Sequence, residues 1–171
     1  MGSNTYLLRT QMWAPVSLRE AFDAVVLPGN RERLALPSLS FHVERPIEQL
    51  APGIVFRCTA QWQGLPLQWR VRITDYEPPF LFRDEMTGAP FLFWHHRHTL
   101  HPTEEGALIT DEVDYALRWG LAGRLMHRVA LERVIKDAFR YRQMTLNEMF
   151  CGGRARWTDP AVIVQPLQTQ P

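Results

Sequence analysis

The chain has 171 residues, 46% of them hydrophobic, enough to bury a core without disulfide staples and suited to one domain. A formal net charge of +1 gives no global basic field of the kind that holds nucleic acid, and none is expected as a partner. Cys58 and Cys151 lack the spacing of a metal or disulfide framework, and no run approaches the roughly 18 apolar residues that cross a bilayer. A cytoplasmic protein with no transmembrane segment is therefore expected.

Residues 4–13 alternate as a strand, which Ala14-Pro15-Val16 breaks. Ser17 is placed to cap a short helix near 18–26, with Glu20 completing a capping box. Leu27-Pro28-Gly29 ends that helix, and Asn30 is expected to cap a second helical turn near 31–35, before Pro37.

From Leu39 to Trp119 the texture becomes period two punctuated by turns, the pattern of an antiparallel meander. Phe41, Val43 and Arg45 make a first segment; Ile54, Phe56, Cys58, Ala60 and Trp62 then share one face of a strand. Gly64-Leu65 reads as a two-residue hairpin loop. Beyond it Leu67, Trp69, Val71 and Ile73 face in, with Gln68, Arg70, Arg72 and Thr74 opposite. Phe80, Phe82, Asp84 and Met86 line the next strand, Leu92, Trp94, His96, His98 and Leu100 the one after. Ile109, Asp111, Val113, Tyr115 and Leu117 line the last, which makes seven strands.

Between Leu121 and Phe150 there is no proline, and Leu121, Leu125, Val129, Ile135, Phe139, Leu146 and Met149 or Phe150 recur at roughly helical spacing, a stripe expected to face the core. Arg124, Arg128, Arg133, Lys136, Arg140 and Arg142 leave this helix a basic face, either merely solvated or a weak contact for a membrane surface or a protein. Cys151-Gly152-Gly153 ends it. Residues 151–171 read as a loosely ordered tail in which Val162-Ile163-Val164 has the composition to dock.

The chemistry is concentrated in Asp84, His96, His98 and Asp111, polar residues on otherwise apolar strand faces. If the turn at 101–106 sets Leu100 opposite Ile109, antiparallel pairing sets His98 opposite Asp111, His96 opposite Val113 and Trp94 opposite Tyr115. A carboxylate beside an imidazole suits a general acid/base, with His98 and Asp111 the catalytic candidates; a satisfied structural pair is the reading buried polar groups favour. Spacing sets no third strong ligand beside His96 and His98, so no metal and no cofactor is expected. His42, His95 and Arg97 should point outward, and His101 and His127 should lie on the surface. No nucleophile elbow, phosphate-cradling glycine loop or His-Glu-x-x-His helix occurs.

The order strand, two short helices, six-strand meander and long C-terminal helix resembles the START-like, or SRPBCC, superfamily of polyketide cyclases, aromatases and lipid-transfer domains. The segments Gln68-Trp69-Arg70-Val71-Arg72-Ile73, Tyr76-Glu77-Pro78-Pro79, Phe82-Arg83-Asp84-Glu85-Met86, Gly88-Ala89-Pro90-Phe91 and Trp94-His95-His96-Arg97-His98 resemble a bacterial ligand-binding branch. The resemblance implies an α+β helix-grip fold, a seven-stranded curved antiparallel sheet around the C-terminal helix, over a domain at residues 1–150. It also implies a cavity between sheet and helix for an apolar small molecule. Trp69, Phe82, Asp84, Trp94, His96, His98, Asp111 and Tyr115 are the expected ligand-binding residues, with Leu34, Leu36 and Leu39 at the lip. Three functions are then open: a binder or carrier, a cyclase or dehydratase using the His–Asp pair, or an interaction module with a vestigial cavity.

Overall fold

The computed structural model describes residues 5–45, 47 and 49–165. Strand β1 (Thr5–Ala14) leads to helix α1 (Leu18–Val26), and a 3-10 turn (Pro28–Asn30) runs into the four-residue helix α2 (Arg31–Leu34). The meander follows as β2 (His42–Val43), β3 (Val55–Trp62), β4 (Leu65–Glu77), β5 (Leu81–Gly88), β6 (Phe91–Thr103) and β7 (Gly106–Leu117). The C-terminal helix runs from Gly120 to Phe150 in three stretches: α3 (Gly120–Met126), a π-helical turn (His127–Leu131) and α3's continuation, α4 (Glu132–Phe150). Two further strands close the described chain, β8 (Arg156–Trp157) and β9 (Ala161–Gln165).

One antiparallel sheet has the order β2-β3-β4-β5-β6-β7-β1-β8, with β9 also pairing β1. The seven expected strands are β1 to β7. The other two come from the segment read as a loose tail: Thr5 to Arg9 pair with Gln165 to Ala161, and Met12 and Trp13 with Trp157 and Arg156. Without them β1 would be a bare edge, with unpaired backbone groups along one side. The last expected tail residues, 166–171, and residue 4 of the expected first strand lie outside the described residues.

Local chemistry explains where elements begin. The Ser17 hydroxyl accepts from the Glu20 backbone N–H at 3.2 Å and the Glu20 carboxylate accepts from the Ser17 N–H at 2.9 Å, the reciprocal capping box. Asn30 does not cap α2. It already has helical backbone angles, and its side-chain amide instead donates to the Ala24 carbonyl at 3.1 Å, closing the end of α1. The hairpin loop is Gln63-Gly64, one residue earlier than expected, because both residues take positive φ (49° and 81°) and Trp62 then pairs with Leu65.

The core lies between the concave sheet face and the helices. Phe22 and Val26 of α1, Leu8 of β1, Ile73 of β4 and Leu100 of β6 are almost wholly enclosed, each contributing about 1.5–3 kcal/mol by burial. Phe22→Ala alone would cost about 3–5 kcal/mol. A register shift between Phe91 and Phe93 turns Phe91 into the core and leaves Leu92, expected inside, exposed.

Candidate functional site: an apolar cavity with a buried charge cluster

Between sheet and C-terminal helix lies a cavity of about 250 Å³. Leu34, Leu36, Leu39 and Phe41, from α2 and the segment after it, form one wall. Trp62, Leu67, Trp69, Met86, Phe91 and Trp94 form the sheet wall, and Leu131, Val134, Ile135, Ala138 and Phe139 the helix wall. The Trp69 indole is fixed by its N–H, which donates to the Ala89 carbonyl at 3.0 Å. The Trp94 ring meets Phe91 and His96 edge-on, and His96 meets Phe139 likewise, so the lining is a set of interlocked rings.

Three polar side chains interrupt that lining, His96, Arg31 and Arg142, and they converge. His96 Nε2 is 3.6 Å and Arg142 Nε 3.8 Å from the Asp111 carboxylate, while Arg31 Nη1 is 3.9 Å from that of Asp84. Asp84 pairs directly across from His96, and the two imidazoles lie 3.9 Å apart between centroids. The Arg31 guanidinium also lies over the faces of Phe56 and Phe82, a cation–π placement that holds it over the sheet. None of these three contacts reaches hydrogen-bond length, and Arg31 Nε and Nη2, Arg142 Nε and His96 Nε2 are enclosed without a hydrogen-bond partner among the described residues.

The strand register is the expected one: His98 opposite Asp111, His96 opposite Val113, Trp94 opposite Tyr115. His98 Nδ1 hydrogen-bonds Asp111. Burial, then the neighbouring His96, push the His98 imidazole down to about 3, so it is uncharged near neutrality. Burial works to raise the Asp111 carboxyl, but the adjoining His98, its hydrogen bond and the nearby His96 and Arg142 outweigh it and hold it well below its ordinary range.

Only Trp69, Trp94 and His96 of the eight expected ligand-binding residues line the cavity. Phe82, Asp84, His98, Asp111 and Tyr115 sit in the layer behind, nearly inaccessible. The reason is packing: His96, Arg31 and Arg142 cover Asp84 and Asp111, while Phe82 and His98 close on each other at 5.8 Å. Tyr115 turns to His127, whose Nε2 lies 2.8 Å from the hydroxyl, and Tyr6 stacks on that imidazole at 3.8 Å. His127 is thus buried, not on the surface as expected, and burial lowers its pKa. His42, His95, Arg97 and His101 are exposed, as expected.

Asp84, His96 and His98 also bring three donor atoms of metal-ligand type within 4.8 Å of one another. The Arg31 guanidinium faces the Asp84 carboxylate at 3.9 Å, so a positive charge already stands beside that group. The two thiols are buried, that of Cys58 pushed up to about 12 by burial, which leaves it inert.

No protein-family model and no curated protein matches the chain. Solved structures do. A protein from Arthrobacter aurescens is similar with a TM-score of 0.64 at 12% identity, over 83% of this chain and 86% of that one. A Chromobacterium violaceum protein gives 0.62 at 11%, over 81% and 94%. Ara h 8.0201 gives 0.59 at 15%, over 84% and 99%. At such identities the likeness is one of fold alone, and it joins this chain to proteins built as a curved antiparallel sheet gripping a long C-terminal helix.

Proposed function

We propose that the protein is a START-like binding protein that takes an apolar, ring-containing small molecule carrying a polar group into the cavity between sheet and helix. The observation that supports this most is the lining: apolar and aromatic on three walls, with His96, Arg31 and Arg142 gathered on one buried carboxylate pair. Apolar surface drives entry, and the convergent polar residues orient the ligand. Catalysis by His98 has less support, because His98 and Asp111 lie behind His96 and meet no cavity surface.

The test uses N-phenyl-1-naphthylamine, an apolar fluorescent probe. Saturable one-to-one binding is expected, and Ala138→Phe, which fills the helix wall, should weaken it at least about tenfold while leaving the melting temperature within a few degrees. Binding unaffected by that substitution would place the probe elsewhere and remove the proposal.

A further inference from the structure

The start of the C-terminal helix exposes what a helix start normally hides. Leu121, Leu125 and Val129 form an i, i+4, i+8 row that is 64%, 64% and 74% exposed, headed by Trp119 at 60%. The row is about 12 Å long at 1.5 Å rise per residue. With Trp119 it presents on the order of 400 Å² of apolar surface, the size at which a patch marks an interaction site. The charge around it has one sign: between Asp114 and Glu132 the chain carries Arg118, Arg124 and Arg128 and no carboxylate. Arg124 and Arg128 make no ion pair among the described residues, whereas every charged residue of α4 from Glu132 to Arg142 has a partner nearby.

We infer that this face, Trp119, Leu121, Leu125 and Val129 flanked by Arg124 and Arg128, docks on an anionic lipid bilayer surface. The leucines and valine reach the acyl boundary, the indole sits at headgroup level and the guanidiniums meet lipid phosphates from stems laid along the apolar row. A second copy of the chain fits worse, because a two-fold contact through this face would set arginines of one protomer against those of its partner. Two and five residues past Val129 the same helix supplies Leu131 and Val134 to the cavity wall, so docking brings that wall beside the bilayer.

Vesicle flotation tests this with phosphatidylcholine alone and with about 30 mol% phosphatidylglycerol added. Binding to the anionic vesicles should exceed binding to the neutral ones at least about tenfold. The triple variant Leu121→Ser, Leu125→Ser, Val129→Ser should lose it with an unchanged melting temperature, and Arg124→Gln with Arg128→Gln should lose the anionic preference. Ala138→Phe should still float, separating docking from cavity binding. Absence of flotation with both vesicles, flotation indifferent to these substitutions, or a lipid-free dimer that the serine variant dissolves would each overturn the inference.

Discussion

His98 keeps its imidazole uncharged inside the fold, and this makes stability depend on pH. The unfolded chain takes up a proton at His98 as pH falls through 6.5, whereas the folded chain does so only near 3. Over that window the unfolded state binds more protons, so stability is complete above about 6.5 and declines on acidification, by about 1.4 kcal/mol per pH unit for one proton. His127, lowered by burial, acts with the same sign. So does Asp111, but only below 3.8, where the unfolded carboxyl protonates and the folded one resists. Urea unfolding at about pH 7, 6 and 5 should show the decline, and His98→Asn, whose amide takes the place of Nδ1 beside Asp111, should flatten it by about one proton. Equal slopes would mean that His98 is not the titrating group. The pair itself was legible because period-two alternation and one turn fix every partner across two strands. Arg31 and Arg142 were not legible, since an arginine on a short or amphipathic helix reads as solvated. They face inward because α2 packs against α4 beside the cavity, which is a tertiary fact.

At the scale of the element, the C-terminal helix shows what periodicity leaves undecided. Its apolar residues fall into two i, i+4 rows, and the expected stripe mixed them. The row that goes inside is Gly123, His127, Leu131, Ile135 and Phe139, while Leu121, Leu125 and Val129 go outside. A row headed by glycine and histidine carries little hydrophobic signal. Its inward turn rests on the Tyr115 hydroxyl bond to His127 and on a π-helical turn that keeps four-residue steps on one face. Gly123 is needed for another reason: a Cβ there would stand 2.1 Å from the Arg118 carbonyl oxygen and 3.2 Å from the Leu117 side chain. Gly123→Ala should therefore destabilise by about 2 kcal/mol or more despite its better helix propensity, whereas Leu125→Ser on the outer row should change stability by less than about 1 kcal/mol. Chemical denaturation of the two variants decides between a helix start held by close backbone approach and one free to hinge.

For the molecule as a whole, the sheet is completed by the segment that composition made look dispensable. Proline and glutamine content argued for a loose tail, and composition cannot report that β1 has an open side waiting for a partner. The closure goes deeper than backbone pairing. The Thr158 carbonyl accepts from the Thr10 hydroxyl at 3.0 Å and from the Gln143 amide at 3.3 Å, and that amide also donates to Thr10 Oγ1 at 2.6 Å. Thr10 and Gln143 are among the most buried polar residues of the fold, so the tail satisfies donors in the layer between β1 and α4. Arg156 adds a cation–π contact over Trp13, 4.6 Å from the ring centroid. A chain ending at Arg154 would keep α1 to α4 and β1 to β7, but would leave these donors short of an acceptor and expose β1 as an edge. Each buried donor left unpaired costs about 1–3 kcal/mol. The truncated chain should thus lose about 2–4 kcal/mol and self-associate at concentrations where the full chain stays monodisperse, the signature of an uncovered strand. A truncated protein that melts with the full-length one and sediments as a single species would show that β8 and β9 rest on the sheet without supporting it.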